Sequence, residues 1–163
     1  MWLSKNFDAR VCLAMYYQGD QVVIYDILRL LGKHCGVGYL KRLEIAKPDN
    51  LVDACKLESS ADLVIASRMH GGIAALGLGI PALFVLPLVE TKVLDVLSFL
   101  GLDINSFLVD MFDADALKSE NIINKIGNIL ENLDYYKKTV ESAVKKALPT
   151  LELPVKTLIN LLG

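Results

Sequence analysis

A short apolar run, Leu63 to Ala66, ends in Ser67-Arg68-Met69-His70 and then Gly71-Gly72, and no other segment constrains the fold as tightly. Asp62 precedes it, and an alanine-rich stretch follows that stops at Gly79-Ile80-Pro81. A brief apolar run bounded by polar residues reads as a buried strand. The alanine-rich stretch reads as a helix, because Gly followed by Pro stops a helix and lets a new strand begin. A strand that feeds straight into a helix is the unit from which parallel α/β sheets are built.

That placement also has chemical content. Ligands of parallel sheets bind outside the carboxyl ends of the strands. Glycines at a strand-to-helix turn let an anion approach the backbone N–H groups of Gly71 and Gly72. Arg68 offers a fixed cation with a bidentate fork, and His70 offers a group that gives or takes a proton near neutral pH. Only two histidines occur in the chain, so one at this strand end stands out. A structural explanation covers the same residues: Arg68 and His70 as a surface pair, Gly71 and Gly72 as room for a helix to pack on a sheet.

The rest of the chain repeats the alternation. Arg10 to Tyr17 reads as a first strand, turned at Gln18-Gly19-Asp20 into a helix from about Gln21 to Leu31 that Asp20 can cap. Ile24, Ile27, Leu28 and Leu31 recur on one face of it, and Gly32 ends it. Gly38 to Ala46 reads as a second strand, and Asp49 or Asn50 caps a helix to about Glu58. After the central segment come a strand, Ala82 to Leu86, a helix from Glu90 to Leu100, and a fifth strand, Phe107 to Val109. The pattern is helical from Asp113 on, with Leu117, Ile122, Ile126, Ile129 and Leu130 inside, and again from Asp134 to Lys146. Pro149 is expected to break that last helix, leaving Val155 to Leu162 as a short terminal one. Right-handed crossovers then give a single α/β, Rossmann-like domain over residues 1–163, with one mostly parallel sheet of about five to six strands.

Composition supports this class and excludes others. At 163 residues and 53% hydrophobic content, the chain suits one domain whose sheet is covered on both faces. Residues 1–81 hold nine Lys/Arg against eight Asp/Glu, and the formal net charge is −2, so no basic face invites nucleic acid. Cys12, Cys35 and Cys55 lack any Cys-x-x-Cys spacing and any clustered histidine, and read as reduced thiols of a cytoplasmic protein. There is no signal-peptide core at the start. Gly71 to Val89 is 19 residues without a charge, but four glycines and two prolines interrupt it, so a helix and a strand are expected rather than a membrane span. No metal site and no nucleotide-binding glycine motif is indicated, and no cofactor is expected.

The segment from Asp62 to Ala82 resembles the signature of the polysaccharide pyruvyl transferase family: Asp, a β-rich triplet, a small residue, Arg, Met, His, then an alanine-rich helix closing in Gly-x-Pro. The likeness continues through the strand Ala82 to Leu86, Lys92, and Phe99-Leu100-Gly101-Leu102, and is good over about residues 61–102. It implies the C-terminal half of a two-domain fold of the glycosyltransferase B type: the chain is then a fragment, the partner of a separate N-terminal domain chain, or a decayed remnant, and a homo-oligomer is the other partner expected. It also implies transfer of a pyruvyl group from phosphoenolpyruvate to a sugar hydroxyl in exopolysaccharide biosynthesis.

On that resemblance His70 is the general acid and Arg68 grips the donor's carboxylate or phosphate. Ser67, Gly71, Gly72 and Lys92 bind the donor, with Lys92 otherwise an ordinary solvated lysine. Tyr16, Tyr17 and Asp20, at the end of the first strand, line the same cleft in this fold class, although capping explains Asp20 equally well. His34 reads as a cation at a helix C-terminus, and Tyr135 and Tyr136 as helix-surface packing. Two other readings stay open: a nucleotide-sugar glycosyltransferase half, with Arg68 and the helix start on a diphosphate, and a non-catalytic interaction or regulatory remnant.

Overall fold

A computed structural model describes residues 6–35, 37–40, 43–87 and 91–162. Lys41 and Arg42, inside the expected second strand, and Glu90, the expected start of a helix, lie outside the described residues. The chain divides into two compact units, Met1–Leu57 and Glu58–Gly163.

In the first unit, β1 (Val11–Ala14) and β2 (Leu43–Ala46) pair in parallel, Cys12 opposite Glu44. Between them run α1 (Asp20–Cys35) and the single turn α2 (Val37–Leu40). Ile24 is buried on α1 as its spacing requires. The helix does not stop at Gly32: reversal there would need a left-handed backbone, and among the described glycines only Gly79 and Gly101 have positive φ. The second strand is shorter than expected because Val37 to Leu40 turn as a helix instead. Next, α3 (Leu51–Ser59) begins at Asn50, whose Oδ1 accepts the Asp53 N–H at 3.0 Å, the cap read from the sequence.

The second unit holds β3 (Val64–Ala66), β4 (Ala82–Leu86) and β5 (Leu108–Asp110), parallel and in the order β3-β4-β5. β4 lies in the middle and is apolar throughout, with Ala82, Leu83 and Phe84 fully buried. Between β3 and β4 runs α4 (Met69–Gly77), and between β4 and β5 run α5 (Thr91–Leu100) and the one-turn α6 (Ile104–Phe107). Both longer helices end alike. The Gly79 N–H reaches the Leu76 carbonyl and the Ile80 N–H that of Ala75; Gly101 and Leu102 repeat this on Ser98 and Leu97. The positive φ of Gly79 (80°) and Gly101 (66°) makes those Schellman closures possible.

The helices α7 (Ser119–Glu131) and α8 (Leu133–Leu162) complete the unit. Ile126, Ile129, Tyr136, Val140, Ala143 and Ala147 are buried on them. Lys125 on α7 donates to the carbonyls of Asn105 and Leu108, at 2.6 and 2.7 Å, closing the end of α6. Burial pushes its ammonium below the usual lysine range, partly offset by Asp103. Tyr136 is not surface packing as expected: its ring meets Phe107 edge-on at 5.6 Å and its hydroxyl accepts from Asn128 at 2.7 Å.

Three expectations change. The strands form two parallel sheets, β1-β2 and β3-β4-β5, rather than one sheet of five or six. Apolar patterning marks strands but not their partners, and every ladder here joins strands consecutive in the chain. Pro149 does not break α8, which runs on to Leu162. The carbonyl that loses its donor there is that of Lys145, an exposed residue on the outside of the helix, where water can replace it. Finally, Gly71 and Gly72 lie inside the first turn of α4, which starts at Met69.

Candidate functional site

Parallel pairing places the carboxyl ends of β3, β4 and β5 on one edge of the sheet, with neighbouring strands about 4.8 Å apart. Ser67, Arg68, Met69 and His70 emerge there from β3, and Ser67, Arg68 and His70 are all exposed. Arg68 is the residue before the helix, held extended at φ −137°, ψ 139°. Three residues of strand thus end at a turn that carries the polar groups straight to the rim. Lys92, exposed in the first turn of α5, follows β4 and so belongs to the same edge. Among the described residues the second unit therefore gathers a hydroxyl, a guanidinium, an imidazole and an ammonium along two adjacent strand ends.

The two glycines differ in role. The first N–H groups of a helix have no partner within it, and in α4 these are the ones through Gly71. Gly71 is half-buried, so its N–H belongs to the set that can face an anion. The N–H of Gly72 lies one residue later and bonds back to the Arg68 carbonyl in a regular helix. Gly72 is buried, and a Cβ on it would meet the Phe84 ring at 2.2 Å. Its lack of a side chain lets α4 lie against β4, the packing explanation open from the sequence.

Asp20 belongs to the first unit. Its Oδ2 accepts the N–H groups of Tyr16 and Tyr17, at 3.0 and 2.9 Å. The carboxylate ties the loop after β1 to the start of α1, so the geometry supports a loop-forming role.

Sequence reading passed over three residues at or near the second unit's edge. Glu58, at the end of α3, is buried, and its Oε1 lies 3.7 Å from where a Cβ on Gly71 would stand. Nothing in its spacing marked it, since it looks like the polar end of a surface helix. Met111 and Phe112 follow β5 at the carboxyl edge and are exposed. The Phe112 N–H donates to Asp110 Oδ1 at 3.0 Å, which holds that turn. A groove between the end of α5 (Ser98 to Leu102) and Tyr135, Lys138 and Lys146 of α8 lies at the opposite end of α5 from Lys92, away from this edge. Among the described residues no group of three or more His, Cys, Asp or Glu could hold a metal ion, and no helix is long and apolar enough to cross a membrane.

Parallel strands joined by helices, with arginine and histidine at one strand end, define an α/β protein. A family model for polysaccharide pyruvyl transferase matches residues 2–87, more than half of the chain. The chain belongs to the polysaccharide pyruvyl transferase family. The match runs from before β1 through Pro87, so it takes in Asp20, Ser67, Arg68, His70, Gly71 and Gly72, and ends short of Lys92. It therefore reaches further toward the N-terminus than the likeness over residues 61–102 and stops sooner after β4. No curated protein and no solved structure matches the chain significantly.

Proposed function

We propose that this chain forms the donor-binding half of a cytoplasmic pyruvyl transferase that moves the pyruvyl unit of phosphoenolpyruvate onto a sugar hydroxyl of a polysaccharide. The observation that carries the reading is the exposed Ser67-Arg68-Met69-His70 turn at the carboxyl end of β3, within the span of the family match. Phosphoenolpyruvate carries a carboxylate and a phosphate, and this edge offers cations for both.

Arg68 grips one anionic group with its fork, and Lys92 on the neighbouring strand end neutralises the other. Ser67 and the Gly71 N–H add neutral donors. His70 gives a proton to the methylene carbon of the enol, which becomes a methyl group and leaves a cation-like centre on the carbon bearing the phosphate. A sugar hydroxyl adds to that centre and gives up its proton. A second hydroxyl of the same sugar closes the ketal as inorganic phosphate leaves. The acceptor side of the cleft comes from a second α/β domain, on this or another chain.

The test is titration calorimetry of phosphoenolpyruvate against the wild-type chain and Arg68→Ala. Weak binding that Arg68→Ala largely removes is the expected result. Equal affinity in both would reduce Arg68 to a structural residue. Binding of a nucleoside diphosphate with none of phosphoenolpyruvate would favour the glycosyltransferase alternative.

A further inference from the structure

We propose that the groove between the end of α5 and α8 is a second saccharide subsite, one that holds the acidic chain made by the transfer. The inference rests on the sugar-acceptor part of the reading above. Its residues lie beyond the span of the family match and away from the edge that carries Arg68.

The groove follows from the sequence of α8, which has two faces. Tyr136, Val140, Ala143 and Ala147 are buried. Tyr135, Lys138, Ser142, Lys146 and Thr150 recur at three- or four-residue spacing and line the groove. Ala143 and Ala147 also reach it, and their small side chains leave room beside Phe99 and Leu102. The space is about 690 Å³, within the range of ligand sites.

The lining selects among ligands. Phe99 on α5 and Tyr135 on α8 are 52% and 67% exposed, so each helix presents an aromatic ring to solvent. Such rings suit the apolar C–H face of a sugar. Ser142 and Thr150 add hydroxyls, while that of Thr139 is given to the Tyr135 carbonyl at 2.8 Å. Lys138 and Lys146 stand about 12 Å apart along the helix. The neighbouring Lys137 is bound to Asp62 at 2.8 Å and takes no part. No Asp or Glu is among the described residues that line the groove. Two spaced cations with no anion between them fit a ligand that carries carboxylates at intervals. A formal net charge of −2 gives nucleic acid no comparable attraction.

The proposed reaction makes such a ligand. Phosphate leaves, and the donor's carboxylate stays on the sugar within the ketal. Each transfer therefore adds a negative charge to the saccharide. A groove that holds the modified stretch keeps the next unmodified sugar at a high effective concentration.

The experiment is calorimetry of the full chain with a neutral oligosaccharide bearing pyruvate ketals, and with the same oligosaccharide after mild acid has removed them. The ketal form should bind about threefold more tightly or better. The double variant Lys138→Gln, Lys146→Gln should abolish that difference, and Tyr135→Ala should weaken both forms by about two- to tenfold. No binding, equal affinity for the two forms, or binding that these variants leave unchanged overturns the proposal. Inorganic polyphosphate held as tightly as the ketal form, and lost in the same lysine variant, overturns the saccharide assignment. Should a variant not fold, amide shifts of labelled wild-type protein decide: shifts clustered at Phe99, Tyr135 and Ser142 support the groove, and shifts elsewhere overturn it. The two readings fail separately. Phosphoenolpyruvate that does not bind counts against the donor site and leaves the groove standing. Phosphoenolpyruvate that binds through Arg68, beside an oligosaccharide that ignores the groove, counts against the groove alone.

Discussion

Replacing Gly72 by alanine should damage the fold, although alanine is the better helix former. A Cβ at this position would stand 2.2, 2.6 and 2.8 Å from Cε1, Cζ and Cδ1 of Phe84. Carbon atoms rest at about 3.5–4.0 Å, so the ring or the helix must retreat by more than an ångström. Phe84 is fully buried on the middle strand of its sheet and has no open direction to swing toward. Overpacking of this severity costs ~3 kcal/mol. The helix preference of alanine over glycine returns ~1 kcal/mol, leaving a net loss of ~2 kcal/mol. Gly77, on the same helix, supplies the control, because nothing lies within 4 Å of its Cβ position. Gly77→Ala should gain ~0.5–1 kcal/mol. Urea unfolding followed by circular dichroism measures both, and the two variants should move in opposite directions. Phe84→Leu in the Gly72→Ala background should recover part of the loss and show favourable coupling in a double-mutant cycle. Gly72→Ala as stable as Gly77→Ala would refute the close-approach argument.

Two further outcomes follow from named residues. His70→Gln, in a complete enzyme with its acceptor domain, should lower ketal formation by about two to four orders of magnitude. Phosphoenolpyruvate affinity should stay nearly intact, and undiminished transfer would remove His70 from the acid role. Asp103 caps α6 by accepting from the N–H and hydroxyl of Ser106, at 3.0 and 2.6 Å, and the Ser106 hydroxyl is the main cause holding its carboxyl below the usual range. A depressed folded value means the cap's contribution is present above the unfolded value and lost as pH falls through the folded one. Thermal melts of wild type and Asp103→Asn should differ at neutral pH and converge in strong acid; a constant gap would show that the charge does not matter.

The elements that emerged where patterning put them share one property: a local signal at both ends. Ala82 to Leu86 is a continuous apolar strand after Gly-x-Pro, and it stands unchanged in the structure. Asn50 marks the start of α3 and Gly79 the end of α4 by chemistry that acts within a few residues. Where the reading failed, a local signal was overruled. Pro149 and Gly32 are local stops that the helices run through nonetheless, at a cost of about 3 and about 1 kcal/mol relative to alanine. The border between the compact units falls inside α3, where no glycine, proline or change of composition could announce it.

The chain by itself determined the α/β class, the family, and the turn that presents Ser67, Arg68 and His70, because a strand, a turn and a helix in succession are specified by neighbours in sequence. Tertiary structure alone decided strand partnership, the two small sheets, and the burial of Glu58 beside Gly71. It also separated the two glycines: Gly72 is required by an aromatic ring twelve residues further on, on another strand. Periodicity reports which face of an element is apolar. Only packing brings a remote side chain against that face, and there the costs of overlap and of a buried charge are settled.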